Sequence, residues 1–188
     1  MTKIHKYNRV LFRAMQGFMK LADKVHPHVP ALAESFGIRP GMVVVDYGCG
    51  PGRYTVEFAR LTGPDGKVIA VDLVEIALQE TEKKVKQYGF NNVELKLAQG
   101  YGSGIPEGSA DMVCAVDMFH HVDPEPFLKE VSRIAKPDGT MVISGGHQTR
   151  NSIKRAVAST GLWALSEEAK THMIFRKMHR RTAGCCCV

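Results

Sequence analysis

The chain has 188 residues, a net charge of +6 and 44% hydrophobic residues, the composition of an ordinary folded domain rather than a disordered segment. Its length suits one compact α/β domain, and its apolar runs are far shorter than the roughly 18 residues that a membrane span needs. The basic N-terminus lacks the apolar stretch and cleavage site of a signal peptide, so we expect a cytoplasmic protein.

Charge and cysteine content bear on partners. The excess of Lys and Arg is too small for a dedicated nucleic-acid binder, so nucleic acid is disfavoured as a partner. Consecutive cysteines, as at Cys185, Cys186 and Cys187, pair only with strain, so the five cysteines suit a reducing compartment rather than a disulfide framework. We predict a flexible Cys-rich tail over 182–188 and no metal site. A thiolate metal site and lipidation are alternatives for the tail.

Residues 1–37 precede the first predicted strand and favour a helix with a wide apolar face. The apolar positions are Val10, Leu11, Phe12, Met15, Phe18, Met19 and Val25. We predict that this segment is a helical cap that covers the substrate crevice, and an ordinary packing helix is the alternative. Its basic side chains suit an anionic partner or peripheral contact with a membrane, or simply a solvated face.

From residue 43 onward, short apolar runs alternate with amphipathic segments, the pattern of βαβ units and a parallel sheet. Strands are predicted at 43–45, 68–71, 93–97, 112–116, 141–144, 162–165 and 172–177. One intervening helix should place Ala77, Leu78, Thr81, Val85 and Tyr88 on one side and end at Gly89. Asp123 and Pro124 supply an N-cap and a first-turn proline for a later helix, and 136–139 should form a turn into the fifth strand.

A glycine-rich turn follows the first strand and carries the strongest functional signal. Gly48, Gly50 and Gly52 allow unusual backbone angles and a close approach of ligand to main chain. Their spacing differs from the G-x-G-x-x-G of dinucleotide folds, and Asp46 directly precedes them. That carboxylate would repel a pyrophosphate but would attract a cationic group such as a sulfonium.

Asp72 ends the second predicted strand, twenty positions after Gly52. An acid at this place can accept hydrogen bonds from both hydroxyls of a ribose. The alternative is a helix cap with no ligand. Its position relative to the glycine turn favours ribose.

Four segments, 44–54, 68–73, 111–122 and 136–144, resemble the successive motifs of class I S-adenosylmethionine-dependent methyltransferases. The chain is most similar to the group that contains the ubiquinone and menaquinone biosynthesis C-methyltransferases. The resemblance implies a Rossmann-like α/β fold, with helices on both faces of a seven-stranded sheet whose last strand is antiparallel. It implies a methyltransferase domain over 38–181.

The resemblance also implies which residues contact S-adenosyl-L-methionine and its product S-adenosyl-L-homocysteine. Asp72 would hold the ribose, Leu73 would lie against the adenine, and the glycine turn would surround the methionine part. Gln99 stands where the family usually has an acid for the adenine amino group, and Asp117 would lie near the methionine part or the transferred methyl. The implied contacts are Asp46, Gly48, Cys49, Gly50, Gly52, Asp72, Leu73, Gln99, Gly100, Tyr101 and Asp117.

His120 and His121 follow the fourth predicted strand and are the candidate catalytic residues. Methyl transfer is an in-line displacement from an activated sulfonium, so the enzyme mainly aligns the acceptor and removes its proton. A histidine, whose ordinary pKa is near neutral, suits that role. The alternative is that one histidine only packs under the next helix.

The sequence therefore predicts a methyltransferase that acts on a small, apolar or aromatic molecule. Residues 117–120 lack the prolines that enzymes methylating nucleobase amino groups commonly carry there. Other RNA positions stay open as an alternative. So do a non-catalytic protein that binds S-adenosyl compounds or a partner, and a NAD(P)-dependent oxidoreductase.

Overall fold

A computed structural model describes residues 28–146 and 148–178. Most of the predicted N-terminal cap, residues 1–27, and the predicted Cys-rich tail over 182–188 lie outside the described residues. Within the described ranges, no helix is both long and apolar enough to cross a membrane.

The elements follow the predicted alternation along the chain. The helices are α1 (Val29–Glu34), α2 (Arg53–Thr62), α3 (Glu75–Tyr88), α4 (Pro124–Ile134) and α5 (Arg150–Ala158). The strands are β1 (Val43–Tyr47), β2 (Lys67–Asp72), β3 (Val93–Leu97), β4 (Ala110–Val116), β5 (Ala135–Ser144), β6 (Trp163–Glu168) and β7 (His172–Lys177). A 3₁₀ turn, Phe119–His121, lies between β4 and α4.

The strands form one seven-stranded sheet in the order β3-β2-β1-β4-β5-β7-β6. Strands β1 to β5 pair in parallel, whereas β7 is antiparallel to both β5 and β6. The predicted fold class is confirmed. The strand order reverses between β1 and β4, so a crevice opens beyond the carboxyl ends of these two strands.

Helices cover both faces of the sheet because successive strand residues point to opposite sides. On one face, Val45 and Val113 belong to the core formed with α4 and α5. On the other face, Val44 and Met112 belong to the core formed with α1 and α2. This two-sided burial explains why the central strands are continuous apolar runs.

Two local predictions differ from the structure. Tyr88 is 61% exposed rather than on the buried side that the other four predicted residues share, because it ends α3 and stacks on Phe90 with ring centroids 6.3 Å apart. The predicted turn over 136–139 lies inside β5, which begins at Ala135 and shifts its register against β4. Gly139 permits this compact path, since a Cβ there would lie 3.0 Å from the Lys136 carbonyl oxygen.

The described end of the predicted N-terminal cap packs into the core. Val29, Ala33 and Phe36 are buried, and the Phe36 ring lies 6.0 Å from that of Phe58 in α2. Residues 28–37 therefore pack on the core, and the substrate-covering role of the whole segment stays a prediction.

Candidate functional site

The chain turns sharply between β1 and α2. The N–H groups of Gly48 and Cys49 both donate to the carbonyl of Val71, at 2.8 and 3.0 Å, which bends the backbone away from β1 toward β2. Gly48, Gly50 and Gly52 have φ values of 79°, 52° and 72°, in the left-handed region that favours glycine. The turn therefore places main-chain groups at the mouth of the crevice.

Two of these glycines are also required by close packing. A Cβ at Gly48 would lie 3.0 Å from the side chain of Met118, and a Cβ at Gly52 would lie 2.8 Å from that of Thr81. The Thr81 hydroxyl donates to the carbonyl of Gly50 at 2.9 Å, so α3 holds the turn from behind. The shape of the turn is therefore fixed by a helix distant in sequence.

Asp46 lies beneath the turn, only 2% exposed. The Thr55 hydroxyl donates to its Oδ2 at 2.6 Å. Burial raises the pKa of Asp46 to about 7; the Thr55 hydrogen bond opposes this shift, and the nearby Asp72 carboxylate adds to it. A cation bound at the turn would favour the ionised form of this carboxyl.

Asp72 joins the glycine turn to the start of α3. Its Oδ2 accepts from the N–H of Gly50 and its Oδ1 accepts from the N–H of Val74, each at 2.9 Å. Burial raises the pKa of Asp72, and the backbone donors oppose that shift. Each carboxylate oxygen has a second lone pair, so the same group can also accept from a ligand hydroxyl.

A partly open cleft lies at this place, with about 100 Å³ of space for water-sized groups. Its walls are mostly apolar with a few polar groups. The lining residues are Tyr47, Gly48, Asp72, Leu73, Ala98, Gly100, Tyr101, Met118, His121 and Val122. Leu73 is 45% exposed, which presents an apolar surface beside the carboxylate of Asp72.

Tyr101 spans the rim of the cleft. Its hydroxyl accepts from the N–H of Asp123 at 2.7 Å, and its carbonyl accepts from the hydroxyl of Tyr47 at 2.8 Å. The backbone groups of Gln99 and Gly102 bond to each other within this loop. The loop after β3 is thus tied to β1 and to the start of α4.

The ends of β4 and β5 form the opposite wall. His121 lines the cleft, and its ring centroid lies 3.8 Å from that of His120. A Cβ at Gly146 would lie 2.8 Å from His120 Nδ1, so His120 packs against that backbone. The carboxylate of Asp117 accepts from the N–H of Gly146 at 2.9 Å.

The structure brings several predicted contacts together and places others outside the lining. Gly48, Asp72, Leu73, Gly100 and Tyr101 line the cleft. The predicted contacts outside the lining are Asp46, Cys49, Gly50, Gly52, Gln99 and Asp117. Asp46 and Cys49 are buried, and burial raises the pKa of the Cys49 thiol, whereas Gln99 and Asp117 are exposed.

Sequence reasoning missed four lining residues, namely Tyr47, Ala98, Met118 and Val122. Tyr47 and Ala98 are the first residues at or just after the carboxyl ends of β1 and β3. Side chains at that edge of a parallel sheet face the ligand crevice, so the predicted strand ends could have identified them.

The residues present fit S-adenosylmethionine better than a dinucleotide. Asp46 beneath the glycine turn suits a cation more than a pyrophosphate, whereas Asp72 can accept from the ribose of either ligand. The close contact of Gly48 with Met118 leaves a narrow backbone cradle that a Cβ would fill. Leu73 supplies an apolar surface beside Asp72 for the adenosine.

Comparisons with known proteins agree with this fit. The family model described as "Methyltransferase domain" matches residues 38–178. A ubiquinone/menaquinone biosynthesis C-methyltransferase, UbiE of Hahella chejuensis, is 31% identical over 57% of this chain and 44% of its own length. A demethylmenaquinone methyltransferase of Geobacillus stearothermophilus is 34% identical over 56% of this chain and 45% of its own. The chain spans less than half the length of these curated relatives.

A solved structure shares the fold. The crystal structure of a SAM-dependent methyltransferase from Aquifex aeolicus superposes with a TM-score of 0.68, at 23% identity, over 79% of this chain and 88% of that one. This likeness agrees with the strand order and with the antiparallel β7 described above. With the family model covering most of the chain, the protein belongs to the class I S-adenosylmethionine-dependent methyltransferase family.

Proposed function

We propose that the protein transfers a methyl group from S-adenosylmethionine to a small-molecule acceptor by in-line displacement. The observation that carries the proposal is the cleft beyond β1, β2 and β4, where Gly48, Asp72 and Leu73 meet His121. The crevice thus brings together main-chain groups, a carboxylate that can accept hydrogen bonds from hydroxyl groups, an apolar surface and an imidazole.

One wall of the cleft, the turn wall, consists of Gly48 to Gly52 with Asp72. It binds and orients the cofactor. Asp72 accepts hydrogen bonds from the ribose hydroxyls while keeping its bonds to the N–H groups of Gly50 and Val74. Leu73 and Tyr101 hold the adenine between apolar surfaces. Asp46 contributes negative charge from beneath the turn, and its charge is largest when a cation lies above it.

The opposite wall, the histidine wall, consists of Asp117, His120, His121 and Gly146. It aligns the acceptor and receives its proton. The cofactor's sulfonium supplies an activated methyl group, so the chain must align the acceptor atom and remove a proton from it. His121 lines the cleft and can accept that proton, whereas His120 supports it from the side of Gly146. Met118 and Val122 add apolar surface beside His121 and exclude water.

The acceptor we propose is an aromatic small molecule of the quinol type. The apolar lining supplied by Met118, Val122 and Tyr47 favours a flat ring over a highly charged substrate. One of the two curated relatives is named for ubiquinone/menaquinone biosynthesis and the other for demethylmenaquinone, which supports the same class of acceptor.

Two measurements test this function. Calorimetry of the full chain should show binding of S-adenosylhomocysteine and none of NADP. Incubation with donor labelled in the methyl group should then transfer label to a naphthoquinol or to a component of a metabolite extract. Binding without any transfer would indicate a non-catalytic S-adenosyl-binding protein. Stabilisation by NADP in place of S-adenosylhomocysteine would indicate an oxidoreductase.

A further inference from the structure

Asp117 has an unusual backbone conformation. It directly follows β4, and its φ of 53° makes it the only residue other than glycine with a positive φ within the described ranges 28–146 and 148–178. Left-handed backbone costs a residue with a Cβ about 1 kcal/mol or more, although Asp tolerates it better than most. Such a conformation persists where surrounding contacts enforce it.

Those contacts join the ends of β4 and β5. The N–H of Asp117 donates to the carbonyl of Ser144 at 2.8 Å, and its Oδ1 accepts from the N–H of Gly146 at 2.9 Å. Gly145, between these two partners, has a φ of 67° and lies so close that a Cβ would overlap Asp117 Oδ1. The side chain of Asp117 therefore lies against Gly145 and Gly146 after β5, on one side only, and stays exposed on the other.

One of these glycines, Gly146, also lies against the histidines. Gly146 has a φ of 87°, and a Cβ on it would lie 2.8 Å from His120 Nδ1. The His120 and His121 rings in turn lie 3.8 Å apart, tilted by 42°. Phe119, in the same 3₁₀ turn, is buried against Phe127 and anchors the turn from below.

From these contacts we infer that Asp117 is a positioning residue, which fixes the backbone of Gly146 and through it the ring of His120, and with it His121, at the cleft. This inference rests on the proposed function, in which His121 receives the proton of the acceptor. It replaces the cofactor contact that family resemblance implied for Asp117. The exposed carboxylate outside the cleft lining, bonded to Gly146, supports the new role.

A matched pair of substitutions at Asp117 separates the effect of losing its carboxylate from the effect of its strained backbone. Asp117→Gly relieves the positive φ but removes the acceptor for Gly146, whereas Asp117→Asn keeps an acceptor oxygen and tolerates the same backbone. Gly146→Ala perturbs the other end of the contact and leaves Asp117 unchanged. His120→Gln and His121→Gln assign the imidazole resonances in NMR spectra of the full chain.

In Asp117→Gly we expect the Gly146 amide to exchange with solvent at least about tenfold faster, since it loses its hydrogen bond. The resonances of His120 and His121 should shift or broaden, and the affinity for S-adenosylhomocysteine should stay within about twofold, a free-energy change below about 0.5 kcal/mol. Asp117→Asn should restore the wild-type spectrum, and Gly146→Ala should disturb the same resonances.

Three results would overturn the inference. A loss of about tenfold or more in S-adenosylhomocysteine affinity in Asp117→Gly, and recovery in Asp117→Asn, would make Asp117 a cofactor contact. If exchange at Gly146 is faster but the imidazole resonances are unchanged, Asp117 links the ends of β4 and β5 without positioning the histidines. Unchanged exchange at Gly146 would show that the hydrogen bond from Gly146 to Asp117 does not protect this amide. If wild-type protein binds no S-adenosylhomocysteine, the proposed function fails, while the imidazole response still reports on positioning.

Discussion

The two walls of the cleft are built in different ways. The turn wall (Gly48 to Gly52 with Asp72) is held by backbone groups: one carbonyl, that of Val71, accepts two N–H groups, and one carboxylate accepts two more. The histidine wall (Asp117, His120, His121 and Gly146) is held by side chains that meet across two loops. The first wall is therefore set by main-chain hydrogen bonds to the end of β2, and the second by packing between two loops.

If that contrast is right, substitutions in the turn wall and in the buried Asp46 beneath it should change the free energy of unfolding. The largest change should come with pH. Asp46 has a folded-state pKa of about 7 against an ordinary value of 3.8, so between these pH values the folded state retains a proton that the unfolded chain loses. Its contribution to the free energy of unfolding is complete below pH 3.8 and is lost as pH rises through 7, by up to about 4 kcal/mol.

Asp46→Asn should remove this dependence and stabilise the unliganded protein at pH 8. Urea unfolding of both proteins across pH 4 to 8 measures it. His172 acts in the opposite direction, since burial lowers its pKa and its contribution is lost as pH falls below the ordinary value of 6.5. The difference between variant and wild type isolates Asp46, and a difference that does not change with pH would contradict the assignment.

A smaller loss is expected from Gly52→Ala, which combines a φ of 72° with a Cβ only 2.8 Å from Thr81. We expect a decrease of about 3 kcal/mol in the free energy of unfolding. Gly50→Ala is the matched control, because its φ of 52° is equally unfavourable but a Cβ there meets nothing within 4 Å, and it should cost about 1 kcal/mol. Equal losses in urea unfolding would show that Thr81 does not constrain the turn.

Asp72→Ala should weaken binding of S-adenosylhomocysteine by about 1 to 3 kcal/mol, because it removes a charged acceptor from the ribose and releases Gly50. Asp72→Asn should lose less, since one acceptor oxygen remains. Calorimetric titration measures both, and Asp65→Ala, in an exposed loop, is the control. Unchanged affinity in Asp72→Ala would reduce the residue to a structural link between turn and helix.

The smallest effect concerns the rim. Tyr101→Phe removes the acceptor of the Asp123 N–H but keeps the ring, so the affinity for S-adenosylhomocysteine should fall by about 1 kcal/mol. Tyr88→Phe, an exposed residue outside the cleft lining, should leave binding unchanged. Identical affinities in both variants would mean that the rim is held without the Tyr101 hydroxyl.

The sequence predicted the parts that depend on neighbouring residues. Apolar runs located the strands because buried parallel strands need them, and the spacing of Gly48, Gly50 and Gly52 identified the turn because positive φ favours glycine. The bonds from Tyr101 to Asp123 and from Asp117 to Gly146 could not be predicted. They join residues 22 and 29 positions apart, whose contact depends on the packing of loops rather than on local pattern.

The position of the cofactor is the central claim, and a crystal structure of the full chain with S-adenosylhomocysteine tests it most directly. We predict the adenine between Leu73 and Tyr101, and at least one ribose hydroxyl oxygen within about 3 Å of the Asp72 carboxylate. We also predict that Asp117 keeps its bond to Gly146 and does not touch the ligand. A ligand bound elsewhere, or a ribose directed away from Asp72, would contradict the account.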